Sequence, residues 1–215
     1  MWRKMLHLVL GGVLLAGCFS NVSEDPAAPV GGTRDRLQRT LEVPLEPGSC
    51  RVVVTVDRQY QGEMRQRIDL PVLDGTVALR SRPDALVEIA ELRVDLDDVT
   101  FDGSEFPPNG VHVTGITLAL RDVGEAPAEW VEGDTKLRAE GVIDLLLDWA
   151  VVTGNRAALP LGTQQVEGVA VEVEVSTTDD GKALVKVHGR QHGEFVTATG
   201  LFSISELSLE LRGVG

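Results

Sequence analysis

Residues 169–187 read Val-Ala-Val-Glu-Val-Glu-Val-Ser-Thr-Thr-Asp-Asp-Gly-Lys-Ala-Leu-Val-Lys-Val. Val169, Val171, Val173 and Val175 fall on one parity, with Glu172 and Glu174 on the other. Side chains of a strand alternate between faces, so this run is a strand with one buried face. Ala183, Val185 and Val187 repeat the pattern beyond Asp179-Asp180-Gly181. Glycine turns tightly without steric cost, and aspartate bonds its own backbone in turns. The stretch is therefore an antiparallel hairpin, and such a hairpin needs a sheet-based core around it.

Period-two alternation continues outward from this hairpin. Cys50, Val52, Val54 and Val56 share a face, as do Ile68, Leu70 and Val72, with Pro71 marking an edge or a strand end. Asp74-Gly75 reads as a hairpin signal ahead of Val77 and Leu79. Leu86, Ala90, Leu92, Val94 and Leu96 alternate with Glu91, Arg93, Asp95 and Asp97. Pro83-Asp84 is equally able to open a short helix over 84–91. Val111 and Val113 are out of phase with Ile116, Leu118 and Leu120, which predicts a β-bulge at Thr114-Gly115. Phe202 and Ile204 switch phase in the same way before Leu207, Leu209 and Leu211. In 142–152 both parities carry apolar residues, which predicts a central strand covered on both sides.

Residues 116–124 and 207–215 share five of nine residues in register, Leu-Arg and Val-Gly among them. The expected fold is all-β and antiparallel, a β-sandwich or barrel-like domain over 41–215 with nine to eleven strands. The alternative is two similar β halves, 41–124 and 125–215, meeting near Gly124–Asp134.

The first residues follow a different rule. Arg3 and Lys4 precede an apolar run from Leu6 to Leu15, broken by His7 and Gly11-Gly12, and Ala16, Gly17 and Cys18 follow. The run is about half the 20 residues that a spanning helix needs. It fits the apolar region of a signal peptide behind a basic start. Leu15-Ala16-Gly17-Cys18 resembles the lipobox of bacterial lipoproteins. That resemblance covers residues 1–18 and implies that 1–17 are a signal peptide cleaved between Gly17 and Cys18. It also implies that the Cys18 thiol carries a diacylglyceryl group inserted in the bilayer. One acyl chain alone holds weakly, so stable anchoring needs the two or three that lipoproteins carry. In the same family an Asp after the cysteine retains the protein in the inner membrane. Phe19 stands there, which favours the outer membrane, facing the periplasm. Residues 18–40, with Pro26, Pro29 and Gly31-Gly32, read as the lipidated cysteine and a flexible tether.

The formal net charge is −13. Nucleic-acid binding is excluded by this charge and by the lack of a basic stripe. The same charge suits solubility, a divalent cation or a basic partner. Cys50 has no internal cysteine partner other than Cys18 and reads as a small buried hydrophobe. Asp95, Asp97, Asp98, Asp102, Glu105 and Asn109 form the densest acidic group, and a loop with Gly103 could gather several oxygens for calcium. Their spacing matches no EF-hand loop, and Asp95 and Asp97 read equally as the wet side of a strand. His188 and His192, with Glu194 behind, could meet at a hairpin tip as zinc ligands, or Gly189 and Gly193 could simply solvate that tip. His112 stands alone. Asp144 and Asp148 lie roughly 13 Å apart along one strand face, too far for a glycosidase pair. No nucleophile elbow, phosphate loop or zinc-protease motif occurs. Aromatic residues make up 4% of the chain, too few for the ring platforms of sugar binders.

These readings assign no catalytic, metal or cofactor residue. The expectation is a lipid-anchored cell-envelope lipoprotein with a non-enzymatic binding or scaffolding β domain and an envelope protein partner. A carrier of an acyl chain or other apolar ligand is the first alternative. A metal-dependent hydrolase is the second.

Overall fold

A computed structural model describes residues 40–58, 64–82, 86–101, 111–122, 124–131, 136–152, 159–160, 162–198 and 202–215. The lipobox, most of the tether, Asp102, Glu105 and Asn109 lie outside the described residues. So does Pro83-Asp84.

The alternating runs pair into one antiparallel sheet of thirteen strands. In chain order these are β1 (Leu41–Pro44), β2 (Arg51–Arg58), β3 (Met64–Leu70), β4 (Val72–Ser81), β5 (Leu86–Leu96), β6 (Val99–Phe101) and β7 (Val111–Leu120). There follow β8 (Gly124–Val131), β9 (Lys136–Val152), β10 (Leu159–Pro160), β11 (Gln164–Thr177), β12 (Ala183–Ala198) and β13 (Phe202–Val214). The sheet runs β1-β4-β5-β7-β9-β11-β12-β13-β2-β3, with β6, β8 and β10 filling in beside β7, β9 and β5. Among the described residues the only helical element is a 3-10 turn at Pro47–Ser49. The strand count exceeds the expected nine to eleven because several long paths are interrupted. Pro71 divides β3 from β4, Asp97-Asp98 divides β5 from β6, and the 3-10 turn divides β1 from β2.

The sheet curls into a half-barrel, the barrel-like form of the expected all-β fold. Among the described residues, backbone hydrogen bonds join its two wings at β1 and the turn after it. β1 lies antiparallel to β4, with Leu41 opposite Leu79, and the next residue, Leu45, bridges Gly213 of β13. The Glu46 N–H donates to the Arg212 carbonyl at 2.8 Å, and the two side chains form an ion pair at 3.0 Å. Inside, the core is built from the inward parity of every long strand. Leu79, Ile89, Leu92, Leu145 and Leu209 are fully buried.

The opening hairpin forms as read. Val173 faces Val187 and Val175 faces Val185. Gly181 closes the turn at φ +80°, and its N–H donates to the Thr178 carbonyl at 2.9 Å. The bulge at Thr114-Gly115 is present: the β7–β9 register shifts between Thr114 and Thr117, with Gly115 at φ +62°. The phase switch in β13 is a second bulge, between Ile204 and Glu206 against β2.

Four local expectations are corrected. Asp74-Gly75 is no hairpin turn but sits inside β4, where a bulge against β5 uses the glycine for close approach. A Cβ on Gly75 would stand 2.5 Å from the Arg93 carbonyl oxygen. In β5 a bulge opposite Ala78 and Leu79 changes the phase, so Val87 and Ile89 point inward in place of Leu86 and Ala90. β9 is central, between β7 and β11, but its outer face is not covered, and Val142 is 60% exposed. Of the stretch Gly124–Asp134, expected as the boundary if the chain has two halves, Gly124–Val131 is strand β8, paired to β5 and β9. The strands of 41–124 occupy both ends of the sheet, and those from β9 to β13 are contiguous between them.

Candidate functional site

The inner parity of β2, β3, β5, β6, β7, β9, β11 and β13 converges on an apolar chamber. Trp149, Leu147 and Val113 line it from β9 and β7, and Ile68, Leu70, Leu96 and Val99 line it from β3, β5 and β6. The chamber has a volume of about 40 Å³, and its wall is wholly apolar. A curled sheet of this size leaves an interior that side chains can just fill. The predominance of valine and the scarcity of bulky aromatics leave this corner incompletely filled. An apolar cavity of this kind stays dry, because water there would have no hydrogen-bond partners.

Beside the chamber the sheet comes apart, between the strands that supply Ile68, Leu70, Leu96 and Val99 to its lining. β4 pairs with β5 up to Val72 opposite Leu96, and one further bond follows, from the Asp97 N–H to the Pro71 carbonyl at 2.8 Å. Continued by one register, the ladder would place Asp69 beside Val99. Among the described residues it does not continue: β3 pairs only with β2, and β6 pairs only with β7. The causes are local. Pro71 has no N–H to return. The Asp97 carboxylate takes the Asp98 N–H at 2.8 Å, and the Asp98 carboxylate takes the Gly115 N–H at 3.2 Å. The second bond holds Asp98 against β7, and the first turns the Asp97 carboxylate back onto its own backbone. The result is a seam with one strand edge on each lip and apolar side chains between.

The outer face of β9, β11, β12 and β13 carries a second feature, a shallow trough of about 670 Å³. Glu140, Glu172, His188 and Glu210 stand in one cross-strand row there. Arg138 reaches both Glu172 at 2.8 Å and Glu140 at 3.2 Å. Lys136 holds Glu174 at 2.9 Å and lowers its pKa, chiefly through that hydrogen bond. Glu140, Glu172 and Glu174 are thus paired as on an ordinary solvated sheet face.

The residues singled out earlier disperse. His188 and His192 are not at a hairpin tip: β12 runs straight through them, four residues apart on one exposed face. Among the described residues no three His, Cys, Asp or Glu side chains converge as a metal site would need. Asp95 accepts from Thr117 Oγ1 at 3.0 Å, and Asp98 pairs with His112 at 3.3 Å. His112 Nδ1 lies 2.7 Å from Thr100 Oγ1, its cross-strand neighbour. Asp144 accepts the Gly168 N–H at 2.9 Å, and Asp148 accepts from Thr163 Oγ1 at 2.5 Å. Cys50 is half-buried, accepts the Arg212 N–H at 3.2 Å, and has its thiol pKa raised by that burial. Sequence pattern does not reveal the seam, although Pro71 reads as an edge or strand end.

No family model matches the chain, and no curated protein is similar to it.

Proposed function

We propose that this chain is a lipid-anchored cell-envelope lipoprotein, moored through acylated Cys18 and favouring the outer membrane, whose β domain binds a partner protein and performs no catalysis. The observation that carries the reading is the seam: two strand edges that meet no partner among the described residues, beside an apolar chamber. An unpaired strand edge is a ready template for pairing with another chain, and here it lies beside apolar surface. Phe19 after the cysteine and the basic, apolar start support the anchoring half of the reading. An alkyl carrier is the second reading, supported by the chamber's wholly apolar wall. It is the weaker one, because ligand pockets run to roughly 300–1,000 Å³.

Photo-crosslinking in the native host tests both halves. A benzophenone side chain is placed at Arg67 or Thr100 on the lips, and at Val142 on the outer face as a control. Protein adducts from the lip positions only, together with acyl mass on a peptide beginning at Cys18, are the expected result. Lipid adducts from the lips favour the carrier. No adducts at any position, with an unmodified Cys18, overturn the proposal.

A further inference from the structure

We propose that the seam takes an extended strand from the partner, apolar on one face and acidic on the other, which inserts between β3 and β6 and completes the sheet. The inference rests on the binding reading above and names the partner's chemistry. Three observations converge on it.

The first is the backbone. The Pro71 carbonyl points at Asp97, so strand alternation turns the N–H and C=O of Asp69, Arg67 and Arg65 to the same side, away from β2. Among the described residues these groups meet no backbone partner. Water can satisfy such a row one group at a time, but a second peptide backbone matches its repeat along the whole edge, and an alkyl chain offers it no hydrogen bond. The seven residues of β3 offer about 23 Å of edge at roughly 3.3 Å per residue.

The second is the floor. Ile68 and Leu70 on one lip and Leu96 and Val99 on the other flank the chamber, so an incoming strand would turn every second side chain onto apolar surface. Main-chain bonds along the edge and pockets for alternate side chains are the two parts of strand-addition recognition.

The third is charge. The outer face of β3 presents Arg65, Arg67 and Asp69 on a molecule of net charge −13, and Asp69 is held by Arg51 at 2.9 Å. Arg65 is engaged by Glu206 at 2.6 Å. Arg67 is exposed and makes no ion pair among the described residues. An acidic residue on the outer face of the incoming strand complements it, and a basic one is repelled.

The test uses the acylated full chain in neutral-lipid nanodiscs and a blocked peptide of alternating valine and glutamate, seven residues long. Saturable binding is expected, with amide exchange at Arg65, Arg67 and Asp69 slowed at least tenfold and the β11–β12 amides unchanged. A peptide N-methylated at alternate residues is expected to bind at least tenfold more weakly. Arg67→Glu, an exposed change, is expected to weaken the glutamate peptide at least fivefold and to favour a valine–lysine peptide. Equal binding of the N-methylated peptide, or protection only elsewhere, overturns the proposal. So does protection of the lips by dodecanoate but not by peptide, or by self-association of the chain. In each case envelope crosslinks to a protein still decide the broader reading separately.

Discussion

Val166→Ile and Val173→Ile add the same methylene to the same strand, β11, and should act in opposite directions. Both valines are fully buried, and both substitutions keep a β-branched side chain, so strand preference cancels. Val166 faces the chamber; Val173 lies in the packed hairpin opposite Val187. Filling a void of about 40 Å³ recovers on the order of 1 kcal/mol at ~24 cal/mol per Å³. One buried methylene contributes about 0.8 kcal/mol, so the two routes agree. Val166→Ile should therefore stabilise by about 0.5–1 kcal/mol, whereas Val173→Ile, forced into filled space, should cost about 1–3 kcal/mol. Urea denaturation reads the difference as midpoints moving apart at constant slope. The melting temperature should rise for the first by about 2–4 °C per kcal/mol and fall for the second. Val166→Ile should also weaken the valine–glutamate peptide, because it occupies the space meant for a guest side chain. Equal destabilisation by both changes would mean that the chamber is already packed, and the binding argument would lose its floor.

Gly75→Ala should destabilise by about 1–3 kcal/mol, because its Cβ would meet the Arg93 carbonyl oxygen at 2.5 Å and Leu45 Cδ1 at 2.7 Å; Gly48→Ala, with open space around it, should be close to neutral in the same denaturation assay. Arg80→Ala leaves the carboxylate of Glu88, which is 5% exposed, without its ion-pair partner, and should cost about 1–3 kcal/mol by chemical unfolding, against a small effect for Glu88→Gln with Arg80 intact. Glu174 is held below its ordinary pKa by Lys136, so the folded state releases that proton more readily than the unfolded chain; its contribution is present above the usual carboxylate range and lost as pH falls through the folded value. NMR titration of Lys136→Met should move Glu174 upward and flatten that acid-limb loss, and an unmoved titration would refute the assignment.

The fold was legible where residues specify it locally. The Val/Glu alternation around Asp179-Asp180-Gly181 has one reading, and the phase switch at Thr114-Gly115 shows the bulge because both flanks keep strict period two. Asp74-Gly75 misled for a physical reason. A turn pair and a bulge both call for a glycine that tolerates close backbone approach, and only the distant partners Arg93 and Leu45 decide between them. His188 and His192 misled likewise: glycines at 189 and 193 suggest a tip, yet Gly189 lies in the strand with Leu209 packed where its Cβ would be, at 3.0 Å. The seam was the least legible feature. It depends on β3 and β6, about thirty residues apart in the chain, failing to pair. Pattern within one strand carries no information about a pairing that does not form.

Three residues nonetheless account for that failure. A proline and two adjacent aspartates are poor members of a ladder, one for want of a donor, the others because their carboxylates capture nearby amides. They lie at the point where β3 and β4, and β5 and β6, would otherwise run on as two long paired strands. Edges left by accident invite aggregation, and sheets blunt them with short strands and charge. Both devices are in place: β6 has three residues, and β3 carries Arg65, Arg67 and Asp69 outward. What a purely protective design would not retain is the greasy floor behind those edges, because apolar surface beside unpaired backbone raises the very hazard that the charges lower. Charge that repels indiscriminate pairing, joined to an apolar floor that rewards a matched strand, selects among incoming segments by sequence. The seam is therefore better understood as a discriminating slot than as an unfinished barrel.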